Sequence, residues 1–238
     1  MGVKKGLGQI QEYKEELQRR KEAAEAGKTN WLSMVDGEEA DVWFLQEMDE
    51  RAENYLEKNG VGLIATEHTK PGRENFRIKA LCSMEDEGKC VGCEEHKKDW
   101  KAGWKAKSRL YINVLVKRAD GTTEVAVMSQ SYGPKGVIAP MIVKTALKNN
   151  TITDRWWSIT RNGADESTTY TPFLNNESKD VNPADHEIFD IEERCLRSIP
   201  YAEQRAFYFG TAELSPEGSD ETEAVPAGAG ATDSNANW

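Results

Sequence analysis

Residues 110–128 limit most tightly what this chain can become. Leu110-Tyr111-Ile112-Asn113-Val114-Leu115-Val116 reads as a strand, Asp120-Gly121 as a hairpin turn, and Glu124-Val125-Ala126-Val127-Met128 as the returning strand. Further short strands are expected at Asp41–Leu45, Val61–Thr66 and Phe76–Leu81. A second hairpin is expected from Trp156–Thr160 and Thr168–Phe173 across Asn162-Gly163. Between the hairpins, Ile138, Met141, Ile142, Thr145 and Ala146 recur at helical spacing, with Pro140 in the first turn. Short strands interrupted by one mid-chain helix fit a mostly β fold with helices (α+β), organised as a small Greek-key barrel of the OB kind.

Around that core, Gln9–Ala26 is rich in Glu, Lys, Gln and Ala and reads as an exposed helix. Pro183–Phe209 reads as one or two helices broken near Pro200. Residues 210–238 carry six acidic residues and no basic one, among Gly, Ala, Ser and Thr. That composition cannot bury a core, and disorder is expected. The expected organisation is a helical arm at 1–30, a barrel core at 31–181, a helical segment at 182–209 and an acidic tail at 210–238.

A net charge of −10 argues at first against nucleic acid. Its distribution argues otherwise. Residues 70–161 hold 18 basic and 10 acidic side chains, whereas 162–238 hold 4 and 16. A cationic centre is flanked by anionic ends. No apolar run reaches membrane-spanning length, and the start lacks the apolar stretch of a secretory signal. A cytoplasmic setting is therefore expected.

Three of the four cysteines, Cys82, Cys90 and Cys93, fall within twelve residues, and in a reducing compartment such clusters bind metal. Cys90-x2-Cys93 puts two thiolates on one tight turn, with Gly92 freeing the backbone between them. Either His68 or His96 completes a tetrahedral set; spacing alone favours His96, which is local. A redox role for the pair would need a strand leading into a helix N-terminus, and Gly88-Lys89 does not look like one. With every ligand used, one zinc ion held there is structural. Cys195, in an amphipathic stretch, reads as a small buried apolar residue.

Single-strand binding needs cations that track phosphates and π-faces that accept bases. Lys105, Lys107, Arg109 and Lys117 bracket Tyr111, which points away from the Ile112 face and is the expected stacking residue. Arg155 and Arg161 flank Trp156 and Trp157, of which one is expected to point outward; Trp156 is taken as the DNA-facing ring. Trp100 and Trp104 are four apart, so on a helix they would share a face and anchor the cysteine loop. Clustered carboxylates, a phosphate-cradling loop and a Ser-His-Asp order are missing from the basic region, so no enzyme is expected. Asp185-His186-Glu187 reads as an exposed helical face. The rival reading is a zinc-containing protein-interaction or transcription-accessory module.

Four features resemble the single-stranded DNA-binding (helix-destabilising) proteins of T-even and other tailed phages. These are Ala40–Leu45 as a first barrel strand; the order His68, Cys82, Cys90, Cys93; the basic stretch running into Ser108–Val116; and the acidic end. The resemblance spans roughly 31–175. It implies an OB-type barrel with an inserted zinc subdomain at about 66–106, and it moves the fourth ligand from His96 to His68. It also implies sequence-independent coating of single-stranded DNA in phage replication, recombination and repair, in the cytoplasm of the infected host. Replication proteins would dock on the acidic tail, with Trp238 as anchor, and copies would self-associate on DNA. The family's N-terminal basic-plus-hydroxyl motif is not reproduced: Lys4-Lys5 has no hydroxyl neighbour.

Overall fold

The first hairpin forms where its sequence places it. In a computed structural model describing residues 28–134, 136–163 and 168–210, its strands run over Lys107–Lys117 (β4) and Thr123–Ser131 (β5). They pair in register from Arg109 with Ser131 to Lys117 with Thr123. Gly121 takes the turn at φ 84°, and Asp120 Oδ1 accepts from the backbone N–H and hydroxyl of Thr122. The other strands are Glu39–Phe44 (β1), Leu63–Thr69 (β2), Lys79–Leu81 (β3), Arg155–Asn162 (β6) and Thr169–Glu177 (β7). The helices are Met84–Glu87 (α1), Val91–Lys98 (α2), Ile138–Asn149 (α3), Ile191–Cys195 (α4) and Tyr201–Phe209 (α5). Most of the expected arm, residues 1–27, and the tail 211–238 with Trp238 lie outside the described residues.

The seven strands form one antiparallel sheet, in the order β3-β2-β4-β1-β6-β7 with β5 on the other edge of β4. β4 organises it. Its first half pairs with β2 (Ala65 opposite Arg109) and its second half with β1 (Phe44 opposite Val114). β1 and β2 thus share one edge of β4, and 45–62 loops out between them. β6 returns to the far side of β1, placing Val42 opposite Trp157.

One face of β4, with Leu110, Ile112, Val114 and Val116, enters the main core with Val42, Phe44, Trp157, Ile159, Ile138 and Ile142. Phe44 and Trp157 meet edge to face at 5.1 Å. The opposite face is buried too. Tyr111 is enclosed with Trp31, Ala65, Val127, Ile191 and Cys195, and Leu115 lies with Trp43 and Leu45 under Val181 and Ile188. Between them Asn113 reads the backbone of the covering segment: its Nδ2 donates to Phe189 O and its Oδ1 accepts from Phe189 N, both at 3.0 Å. Cys195, 3% exposed, is the small buried residue expected.

A buried carboxylate ties the loop after β1 to the segment that follows α3. Glu47, 1% exposed, accepts from the hydroxyls of Thr151 (2.5 Å) and Thr153 (2.7 Å) and from Ile152 N (3.1 Å). Glu47→Ala strands three buried donors. It is expected to cost about 3 kcal/mol, each orphaned group contributing roughly 1 or more. A urea midpoint lowered at unchanged m-value is the check; an unmoved midpoint would mean that water replaces the carboxylate.

Candidate metal centre and its surroundings

Four elements bring the candidate ligands together. His68 sits in β2, paired across the hairpin with Ala80 of β3. Cys82 follows β3, and its backbone N–H donates to Thr66 O at 2.8 Å, continuing the ladder by one rung. α1 then ends at Gly88, whose φ of 67° reverses the chain. Cys90 is the N-cap residue of α2, and Cys93 lies in its first turn.

The ligand atoms of His68, Cys82, Cys90 and Cys93 all lie within 4.8 Å of one another, and this group can hold a metal ion. Cys82 Sγ is 3.6 Å from Cys93 Sγ, and Cys93 Sγ is 3.3 Å from His68 Nε2. A disulfide needs sulfurs about 2.05 Å apart, and none of the four cysteines is in one. His68 Nδ1 is 2.7 Å from Trp104 O, to which it donates, and this orients Nε2 toward the sulfurs. His96, the ligand favoured by spacing alone, is not part of the group.

The thiols differ in acidity. Burial would raise Cys90, but its hydrogen bonds with the His68 ring and with backbone N–H groups outweigh that and hold it down at about 6. Burial, helped by the bond to Cys82, pushes Cys93 up to about 12, and burial also raises Cys82.

The surroundings are built from distant chain. α2 packs so closely on His68 that a Cβ at Gly92 would lie 2.3 Å from His68 Cγ. α5 closes the other side. Gln204, fully buried, accepts from Val91 N and donates to Ser83 Oγ and Ile199 O. Tyr208 donates to His68 O and meets Trp104 edge to face at 5.0 Å. Trp104 is buried, as an anchor of this loop should be. Trp100 is 71% exposed, because 99–103 is a turn rather than the helix that would have put both on one face.

The expected DNA-facing residues separate into two groups. Lys105, Lys107 and Lys117 are exposed, and half-buried Arg109 donates from Nε to Ser129 Oγ at 2.8 Å. Tyr111 needs correction. It is fully buried, donates to Glu67 Oε2 at 2.5 Å and accepts from Lys79 Nζ at 3.2 Å, so its ring has no face to offer a base. Alternation placed it opposite Ile112 but could not reveal that 181–196 covers that side. Trp156 is half-buried, packed on Trp43 at 5.5 Å. Arg155 is held by Asp154 and Glu177, and Arg161 by Met34 O and Thr168 Oγ1. These three side chains serve the sheet. The covering segment carries a usable signal in its sequence: Phe189, Ile191, Cys195 and Leu196 pack on the Tyr111 side, and Val181 and Ile188 on the Leu115 side.

Comparison with protein-family models, curated proteins and solved structures finds no match to this chain.

Proposed function

We propose that this chain coats single-stranded DNA without sequence specificity and without catalysis, on an OB-type barrel braced by one structural zinc. The observation that carries the reading is the connectivity. A split first strand (β1 with β2) borders both β4 and β6, the β4–β5 hairpin leads into helix α3, and the β6–β7 hairpin follows. This connectivity supports the reading as an OB-type barrel, a fold that binds oligonucleotides. Exposed Lys105 and Lys107 lie where the metal-bearing insertion meets β4, and they supply phosphate contacts there.

Three sulfurs and one imidazole favour zinc over harder ions. Zinc–ligand bonds of about 2.0–2.3 Å at tetrahedral angles separate donors by roughly 3.6–3.8 Å, close to the 3.6 and 3.3 Å between the atoms here. Bound zinc would cross-link the β2–β3 hairpin to α2 and, with four protein ligands, leave no place for substrate. The acidic stretch 211–238 is proposed to compete with DNA for the cations and to dock replication proteins through Trp238. No helix among the described residues is long and apolar enough to cross a membrane, and the proposed setting is phage replication, recombination and repair in the host cytoplasm.

Fluorescence anisotropy against labelled dT strands and a duplex of equal length tests the function. Single strands are expected to bind at least tenfold more tightly, with log K falling linearly in log salt. Lys105→Ala/Lys107→Ala should make that slope shallower by about 1.4, at about 0.7 per phosphate contact. Equal or better duplex binding would favour a zinc-bearing interaction or transcription-accessory module instead.

A further inference from the structure

Two of the exposed aromatic side chains stand on loops that adjoin the candidate ligand elements, and neither belongs to an apolar core cluster. Trp100 is 71% exposed and Phe76 38%. They sit on different loops, 70–78 joining β2 to β3 and 99–106 joining α2 to β4. The loops touch: Gly103, at φ 92°, approaches Pro71 so closely that a Cβ there would lie 3.5 Å from Pro71 Cβ. Each is internally fixed, by Asn75 Nδ2 donating to Pro71 O in the first and by Asp99 Oδ1 accepting from Lys101 N in the second.

Each ring also carries a cation from its neighbour. The Arg77 guanidinium lies 5.2 Å from the Phe76 ring centre, and Lys101 Nζ lies 5.2 Å from that of Trp100. Lys70 and Arg73 add charge to the first loop against Glu74, and Lys105 to the second against Asp99. A single exposed aromatic is ordinary on a protein surface. Two on abutting, cation-rich loops match what an unpaired strand requires: a π-face for each base and a positive charge for each adjoining phosphate. A duplex, with its bases already stacked, could use only the charges.

We infer that Phe76 and Trp100 form the base-stacking platform of this protein, taking two unstacked bases of single-stranded DNA between the insertion and the start of β4. The assignment rests on the proposed single-strand binding and replaces Tyr111 in the stacking role. A base stacked on either ring would add to the cation already over it.

The test compares wild type, Phe76→Ala, Trp100→Ala and Trp100→Phe on a dT strand and on an abasic deoxyribose-phosphate strand of the same length, with melting curves and zinc content as fold controls. Wild type should prefer dT to the abasic strand. Each alanine variant should weaken dT binding by about 5-fold or more while leaving abasic binding and its salt slope unchanged, and Trp100→Phe should recover most of the loss. Wild-type binding to dT that survives both alanine changes undiminished would overturn the platform and leave single-strand binding standing. Equal loss on dT and abasic strands would also overturn it, assigning the rings a structural role. No dT binding by wild type would sink the functional reading itself.

Discussion

If the proposed zinc is bound, chelation or Cys93→Ser is expected to dismantle the end of the molecule that carries the candidate ligands while the rest of the sheet stays folded. Structural zinc sites contribute on the order of 10 kcal/mol or more of binding energy, which is folding energy for whatever the metal holds together. Here that is the β2–β3 end, α2, and through Gln204 and Tyr208 also α5. None of the four ligands belongs to the main apolar core around Val42, Phe44 and Trp157. A single cooperative melt should therefore split in two, the earlier transition reporting on Trp104 and α2 and the later one on the sheet. His68→Ala should reproduce the split and His96→Ala should not. Zinc uptake should release protons, because Cys82 and Cys93 hold theirs above neutral pH in the metal-free protein. Affinity should accordingly fall as the pH is lowered. A melting curve and metal content untouched by Cys93→Ser would rule the site out.

Gly92→Ala is expected to be nearly as damaging, against what helix propensity says. Alanine inside a helix is worth about 1 kcal/mol over glycine, so on local grounds the change should stabilise α2. Packing decides otherwise. The new methyl would lie 2.3 Å from His68 Cγ and 2.7 Å from its Cβ and Cδ2. The ring cannot yield: its backbone is in the β2–β3 ladder and its Nδ1 is tied to Trp104 O. α2 would have to retreat, carrying Cys90 and Cys93 with it. Reduced zinc stoichiometry together with a lower first transition is the expected result. A variant that melts higher than wild type with full zinc would show that α2 does not rest on His68.

Much of this architecture was legible from residues alone, because it follows from local rules. The Asp-Gly turn and its flanking apolar strands gave β4 and β5, the second hairpin gave β6 and β7, and the 3.6-residue spacing after Pro140 gave α3. Strand Phe76–Leu81 came out shorter, as Lys79–Leu81, because Arg73–Asn75 folds as a 3-10 turn that leaves Phe76 at its end, in solvent. The cysteine cluster was plain, but the choice of histidine was not. Sequence distance favours His96, whereas a β hairpin brings His68 across a gap of 25 residues to Cys93. Tyr111 was misjudged for a related reason. Alternation tells which two faces a strand has, and only the rest of the chain decides whether both are covered. Val114-Leu115-Val116, apolar at three successive positions, already carried the mark of a strand buried on both sides.

The contact between Tyr208 and His68 joins residues 140 apart in sequence, and this separation orders events during synthesis. His68 through Cys93 leave the ribosome as one short stretch, so the nascent chain holds the whole candidate ligand set early, with the hairpin and α2 as a local unit. Trp104 follows soon after and orients the histidine. The lid over that unit, Gln204 and Tyr208, arrives more than a hundred residues after Cys93, and the segment 181–196 that hides Tyr111 and Leu115 also emerges long after β4. For that interval the outer face of β4 presents aromatic and aliphatic surface to the cell, the kind of transient exposure that invites aggregation. Closure of 181–209 over the sheet and the candidate ligand group is the most non-local step this topology requires.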